Sequence, residues 1–135
     1  MLDERIKNLI GMKFEDGGRG PDSYDCWGLV REIYKRYGIE LPDYNISCYD
    51  NFNVTQEMEN NRPFWEKFSI DNAPVPCIVA FRVSSPMVNH VGIYLGENKF
   101  IHTREKAGAV IEDITSPAWK HRIEGFYSIR SFVNE

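Results

Sequence analysis

Three side chains have the chemical types and the order needed for nucleophilic catalysis: Cys26, His90 and His102. Cys26 lies in Tyr24-Asp25-Cys26-Trp27-Gly28-Leu29-Val30, after a glycine-rich approach and before an apolar segment of helical period. A thiol at the first turn of a helix feels the positive end of the helix dipole, which favours the thiolate. A thiolate becomes an effective nucleophile once a histidine stands beside it. His90 and His102 both lie downstream in strand-like sequence. His121, between Lys120 and Arg122, reads as a solvated side chain. Of the neighbours of Cys26, Asp25 can support the helix start electrostatically or meet a positively charged amine of a substrate. Trp27 can pack or line the mouth of a cleft.

The other two cysteines read as bystanders. Cys77 sits in the apolar run Val75 to Phe81, where a thiol is a small core residue. Cys48 lies in a polar Asn/Asp-rich stretch. No Cys-x-x-Cys pair supports a structural zinc site. One Cys and two His could hold zinc, but the sequence supplies no further ligand. Neither a metal nor a cofactor is therefore expected. An odd, sparse set of cysteines fits a reducing compartment.

The elements that must position these groups follow from periodicity. Residues 2 to 10 place Leu2, Ile6, Leu9 and Ile10 on one face, predicting a short amphipathic helix. Glu15 to Ser23 is a Gly/Pro/Asp-rich loop. A second helix is predicted from Cys26 to Tyr37, with Leu29, Val30, Ile33, Tyr34 and Tyr37 at helical spacing and Gly38 ending it. A long irregular region follows, with helical character near Val54 to Asn60, and Pro63 to Phe68 gives no clear pattern. Asp50, Glu57 and Glu59 make this region a candidate lid. Five strands are predicted at Cys77–Val83, Val88–Leu95, Lys99–Thr103, Ala109–Ile114 and Gly125–Phe132, with one helical turn at Pro117–Lys120. Helices first and an antiparallel meander second define an α+β architecture in a single domain spanning residues 1–135.

The hairpin decides whether the histidines meet. Val91, Ile93 and Leu95 alternate with His90, Gly92 and Tyr94. If Val91 and Ile101 face the same apolar layer, His90 lies opposite His102. That register needs an odd-length loop or a bulge at the Gly96 turn. A plain two-residue loop at Gly96-Glu97 would put the rings on opposite faces. The order Cys, His, His across a helix and a hairpin resembles that of papain-like cysteine hydrolases.

Composition narrows the classes. The 135 residues are 42% hydrophobic and 27% charged, with a formal net charge of -4, which is ordinary for a globular domain able to bury a core. No basic face points to nucleic acid, and no apolar run reaches membrane-spanning length. The N-terminal stretch MLDERIKNLIGMKF has no secretory signal pattern. Read as the true start, it implies cytoplasmic synthesis and export only by a signal-independent route.

The motifs together resemble the NlpC/P60 family of cell-wall cysteine peptidases. Gly11-Met12-Lys13-Phe14-Glu15-Asp16-Gly17-Gly18, then Pro21, then Tyr24 to Val30 is similar to the family's G-x-P-Y-x-W-G-G…F-D-C-S-G-L-V block. His90-Val91-Gly92-Ile93-Tyr94-Leu95-Gly96 and Lys99-Phe100-Ile101-His102-Thr103 resemble its H-V-G-I-Y-L-G and K-F-I-H-A strands. The resemblance spans roughly residues 9 to 130. It implies a compact papain-like fold, with Cys26 as nucleophile, His90 as general base and acid, and His102 as the residue that orients His90. The substrate it implies is a peptidoglycan stem peptide, often cut at the D-glutamyl to diamino-acid bond through a thioester, with Asp25, Phe14 and Trp27 as candidate substrate contacts.

This chain departs from the family pattern at several positions. Phe14 stands where the family has a cleft Tyr whose hydroxyl serves substrate or oxyanion contacts. Lys13 replaces Pro, Asp16 replaces Trp, Trp27 replaces Ser, and Pro76-Cys77 replaces a Gly-Asp turn. The Asp25-Cys26-Trp27-Gly28-Leu29 variant with Leu41-Pro42-Asp43-Tyr44 looks more like phage tail-associated members, implying phage tail proteins as partners and virion-borne delivery to the wall. Two alternatives on the same fold are an assembly protein of little activity and a thiol acyltransferase.

Overall fold

The computed structural model describes residues 3–43 and 64–129. The expected helix near Val54–Asn60, Cys48 and the acidic lid candidates Asp50, Glu57 and Glu59 lie outside the described residues, as does the end of the last expected strand.

The chain begins with a 3-10 turn at Lys7–Leu9 rather than the amphipathic helix expected over residues 2 to 10. The amides of Ile6, Leu9, Ile10 and Met12 each donate to the carbonyl three residues back. A segment this short does not recover the cost of nucleating an α-helix. Burial of Ile6 and Leu9 fixes the tighter turn, and Ile10 points outward at 45% exposure. Two short strands, β1 (Lys13–Phe14) and β2 (Ser23–Tyr24), pair in parallel and pinch the base of the glycine-rich loop.

Helix α1 (Cys26–Arg36) has the expected start and stops one residue early, at the cap Tyr37. Asp25 caps it by accepting from the Gly28 amide at 2.7 Å, which satisfies one orphan donor of the first turn. Lys35 and Arg36 sit in the last turn, where cations complement the helix dipole. Leu29, Val30, Ile33 and Tyr34 form its buried stripe.

The second half is a six-stranded sheet in the order β3-β8-β4-β5-β6-β7. Its strands are β3 (Trp65–Phe68), β4 (Cys77–Phe81), β5 (His90–Gly96), β6 (Lys99–Arg104), β7 (Gly108–Asp113) and β8 (Ile123–Ile129). Each neighbouring pair is antiparallel. β3, which the sequence pattern left open, is an edge strand held by β8, with Trp65 opposite Ile129 and Phe68 opposite Phe126. The expected helical turn near Pro117–Lys120 is present: the amides of Trp119 and Lys120 both donate to the Ser116 carbonyl.

Two apolar clusters cover the two faces of the sheet. One joins Val91, Ile93 and Ile101 to Leu29, Val30 and Ile33 of α1. The other is aromatic and includes Phe81, Tyr94, Phe100, Trp119 and Phe126. All five residues of the central strand β4 are buried, as a strand covered on both faces requires. Cys77 is among them, and burial pushes its thiol up to about 12, an inert core position. The α+β expectation is met, with one α-helix on the sheet among the described residues where two were expected.

Candidate active site

The hairpin β5–β6 solves the register problem with a bulge. Glu97 and Asn98, both at positive φ, make a two-residue loop closed by Gly96 opposite Lys99. The register then shifts between Tyr94 and Gly96, so that Tyr94 faces Phe100 and Ile93 faces Ile101. Leu95 is the extra residue. His90 and His102 therefore share a face, as the chemistry required. They are diagonal neighbours rather than direct partners, because the register puts Gly92 across from His102. A Cβ on Gly92 would stand 2.8 Å from the Ile101 carbonyl oxygen and 3.0 Å from the His102 Cβ. The absence of a side chain there lets the two imidazoles close on each other.

Their contact is direct: His90 Nε2 and His102 Nδ1 are 2.8 Å apart. The other nitrogen of His102, Nε2, is 2.6 Å from a carboxylate oxygen of Glu112 on β7. The second oxygen of Glu112 accepts from the indole N–H of Trp119 at 3.0 Å. Trp119 stands edge-on to His102 at 4.9 Å and stacks along His90 at 6.0 Å. His102 is completely buried, whereas Glu112 reaches the surface. Glu112 was legible only as an unremarkable charged position in a strand. The available signal was its parity: Val110 pairs with His102, so Glu112 lies two residues further on the same face.

Burial and neighbouring charge hold these rings neutral. Desolvation, then His102 and Arg104, lower His90 from its ordinary value to about 3. Burial also lowers His102, against the pull of Glu112. Burial raises the carboxyl of Glu112, but the hydrogen bonds from Trp119 and His102 outweigh it and the net shift is downward. Near neutrality the row is two neutral imidazoles ending on a carboxylate. Among the described residues no group of three or more His, Cys, Asp or Glu side chains converges as a metal-binding set.

His90 lines a cavity of about 280 Å³ shared with Phe14, Asn89, Thr103, Arg104 and Trp119. The Thr103 hydroxyl is buried and finds no partner among the described residues. Phe14 lines the same cavity as His90. Cys26 is a buried thiol at the first position of α1, just after its cap.

Trp27 and Asp25 are placed differently from the substrate contacts expected of them. Trp27 is 1% exposed, packs edge-on against Trp65 and donates from its indole to the Pro42 carbonyl. Asp25 is 0% exposed and its carboxylate accepts from the Gly28 and Gly17 amides and from Arg19 at 2.6 Å. Both serve structure in the free protein and present no surface to a ligand. The helix start is built around them. A Cβ on Gly28 would lie 2.1 Å from the Gly18 carbonyl oxygen, so only glycine lets the loop lie on the first turn.

A helix opening on a capped cysteine, packed on an antiparallel sheet that carries a histidine pair, defines the papain-like cysteine-peptidase architecture. The NlpC/P60 family profile matches residues 11–128, and the chain belongs to that family. Murein DD-endopeptidase MepS/Murein LD-carboxypeptidase of Escherichia coli K12 is 33% identical over 113 residues, covering 83% of this chain and 53% of the relative. This chain thus spans about half the length of that relative. A probable endopeptidase of Haemophilus influenzae is 26% identical over 132 residues, covering 96% of this chain and 72% of the relative. Among solved structures, a lipoprotein-like NLP/P60 family protein of Staphylococcus aureus superposes with a TM-score of 0.70 at 25% identity, over 93% of this chain and 39% of that one. RipD of Mycobacterium tuberculosis, described as a non-catalytic NlpC/p60 domain protein adapted to peptidoglycan binding, has a TM-score of 0.58 at 16% identity, over 93% of this chain and 91% of its own.

Proposed function

We propose that this chain is a cysteine peptidase that hydrolyses an amide bond of peptidoglycan stem peptides. Cys26 is the nucleophile, His90 the base and acid, and His102 the residue that orients His90. The observation that carries this reading is the 2.8 Å contact between His90 and His102 at the wall of a cleft. A neutral, half-buried imidazole whose far nitrogen is held can take a proton from a thiol. His90 removes the thiol proton as the Cys26 sulfur attacks the carbonyl carbon. The Cys26 backbone N–H, at the helix start, donates to the oxyanion. The C–N bond breaks, His90 gives its proton to the leaving amine, and a thioester remains. Water, deprotonated by His90, attacks the thioester. The C–S bond breaks and the carboxylic acid leaves, returning the thiol. The D-glutamyl to diamino-acid linkage is the first bond to test.

A second reading is a domain that binds peptidoglycan without cutting it. Phe14 in the cleft favours it, since no hydroxyl is present at that wall position. The relationship to RipD supports it at the level of fold. Placement beside phage tail-associated members, with delivery by a virion, rests on Asp25-Cys26-Trp27-Gly28-Leu29 and Leu41-Pro42-Asp43-Tyr44. Mass spectrometry of purified virions from a host strain carrying the gene tests that placement.

The decisive experiment is incubation with peptidoglycan sacculi of several chemotypes and analysis of the released fragments by mass spectrometry, beside Cys26→Ala. New stem-peptide fragments from the native chain alone support the peptidase. Sacculus binding without fragments, together with a Cys26 that alkylates at the rate of an ordinary thiol, selects the binding domain.

A further inference from the structure

We infer that Glu112, held by Trp119, is a positioning residue that sets the tautomer of His90 through His102, leaving His90 Nδ1 as the unprotonated base. The inference rests on the peptidase reading for its purpose, but its structural content stands apart from it. An ionised carboxylate only accepts hydrogen bonds. His102 Nε2, at 2.6 Å from Glu112, must therefore carry its proton. A neutral His102 then has its lone pair on Nδ1. That nitrogen faces His90 Nε2 at 2.8 Å, so His90 Nε2 carries the proton of that contact. A neutral His90 is left with its lone pair on Nδ1. Each proton in the row is fixed by the next acceptor, and the row ends on Glu112.

Trp119 makes the arrangement sensitive to chemistry at Glu112 rather than to shape alone. Its indole N–H can only donate, and it takes one carboxylate oxygen while His102 takes the other. A carboxylate satisfies both donors. A carboxamide of the same shape cannot, because one of its two positions is an NH2. In Glu112→Gln, an amide that turns its oxygen to Trp119 aims its NH2 at His102 Nε2. His102 then shifts its proton to Nδ1, and His90 must accept at Nε2 and carry its proton on Nδ1. The base lone pair is lost with the fold unchanged. A misassigned tautomer in the serine-protease triad costs about 10⁴-fold in kcat, which sets the scale.

When His90 takes the Cys26 proton at Nδ1, the imidazolium donates from Nε2 to His102. The negative charge of Glu112 lies one ring further along the same line. Glu112 thus stabilises the charged state through His102 without touching the substrate.

The test is long-range 1H–15N NMR on the full chain with 15N-labelled histidine, near pH 7, together with iodoacetamide alkylation of Cys26. The native protein is expected to have protons on Nε2 of both His90 and His102. Glu112→Gln is expected to move the His90 proton to Nδ1 and slow alkylation by about 10-fold or more, with the thermal transition retained. Adding Trp119→Phe removes the competing donor, frees the carboxamide oxygen for His102, and is expected to restore the native tautomers and recover alkylation. A purely packing role predicts that the double variant is worse than either single one.

A native His90 protonated on Nδ1 overturns the inference whatever the variants do, so a Glu112→Gln chain that fails to fold leaves it testable. Native tautomers and alkylation in a folded Glu112→Gln overturn it too, as does a double variant with no recovery. If the tautomers behave as inferred and sacculi stay intact, the peptidase reading fails and the inference stands.

Discussion

The two faces of the β5–β6 hairpin are built from different materials. Toward α1, Val91, Ile93 and Ile101 meet Leu29, Val30 and Ile33 in an aliphatic layer. On the other face, Phe81, Phe100 and Trp119 enclose His90 and His102. Branched aliphatic side chains fill space and have no polar demands. Flat rings do something further: they fix the planes of the imidazoles, whose nitrogens must lie on a line to be useful. Polar atoms on the aromatic face are satisfied in sequence, from His90 to His102 to Glu112 to Trp119. One strand pair thus carries an aliphatic layer on one side and a hydrogen-bonded row of polar groups on the other.

The largest effects should separate the faces. Ile93→Ala removes a fully buried aliphatic side chain and should cost about 2–5 kcal/mol of stability, read by chemical denaturation, while the histidine tautomers stay native. His90→Ala should do the reverse. On the proposed mechanism it should lower turnover by about 10²–10⁴-fold with a far smaller effect on the midpoint. Large stability loss in both variants would mean that the aromatic face is a second core and little else.

Gly92→Ala attacks the boundary between the faces. The added Cβ would meet the Ile101 carbonyl and the His102 Cβ, and neither is the far end of a flexible side chain. We expect about 1–3 kcal/mol of destabilisation, and a displaced His102 visible as a changed His90 nitrogen shift. A stable variant with native shifts would show that the close approach is incidental.

On the aromatic face, His90 contributes a pH dependence of its own. His90 is held down to about 3, against an ordinary 6.5 in the unfolded chain. Between these values the unfolded chain binds the extra proton, so unfolding free energy rises with pH across that window. This contribution is complete above about pH 6.5 and is lost as pH falls toward 3. Denaturation midpoints measured from pH 3 to 8 should rise and then level off. Replacing His90 with Phe should flatten the part of the rise between pH 4.5 and 6.5, where carboxylates contribute less. An unchanged slope would mean that His90 is solvated.

What the sequence revealed follows from how local each signal is. Asp25 before a run of helical period announces α1, because a cap and an apolar stripe lie within a dozen residues. Alternation around His90 and His102, with the glycine turn between them, is equally local; parity demanded an odd-length loop or a bulge, and where the odd loop was expected the chain uses a two-residue loop with a bulge at Leu95. Glu112 escaped notice because its role depends on Trp119 folding back across β7, which no periodicity encodes. Strand β3 was unreadable because its partner β8 is some sixty residues away. The first turn went wrong for another reason. Its apolar spacing suits an α-helix, but burial of Ile6 and Leu9 is also met by a 3-10 turn with fewer residues to order. Asp25 and Trp27 carry a motif in sequence and a structural duty in space, and the sequence alone does not separate the two.

The smallest effect concerns a residue that breaks the material rule. Thr103 shares the strand parity of Ile101 and pairs with Ala109, so it belongs to the aliphatic side. It is 2% exposed, and its hydroxyl has no partner among the described residues, while the side chain also lines the cleft beside His90. A buried hydroxyl without a hydrogen bond carries a desolvation cost of about 1–3 kcal/mol that nothing among the described residues returns. Thr103→Val keeps the branched shape and removes that cost. Its denaturation midpoint should hold or rise, by up to about 1 kcal/mol after the imperfect fit of the new methyl is counted. A loss of similar size would mean that the hydroxyl is bonded in solution, and that the aliphatic face is polar where it meets the cleft.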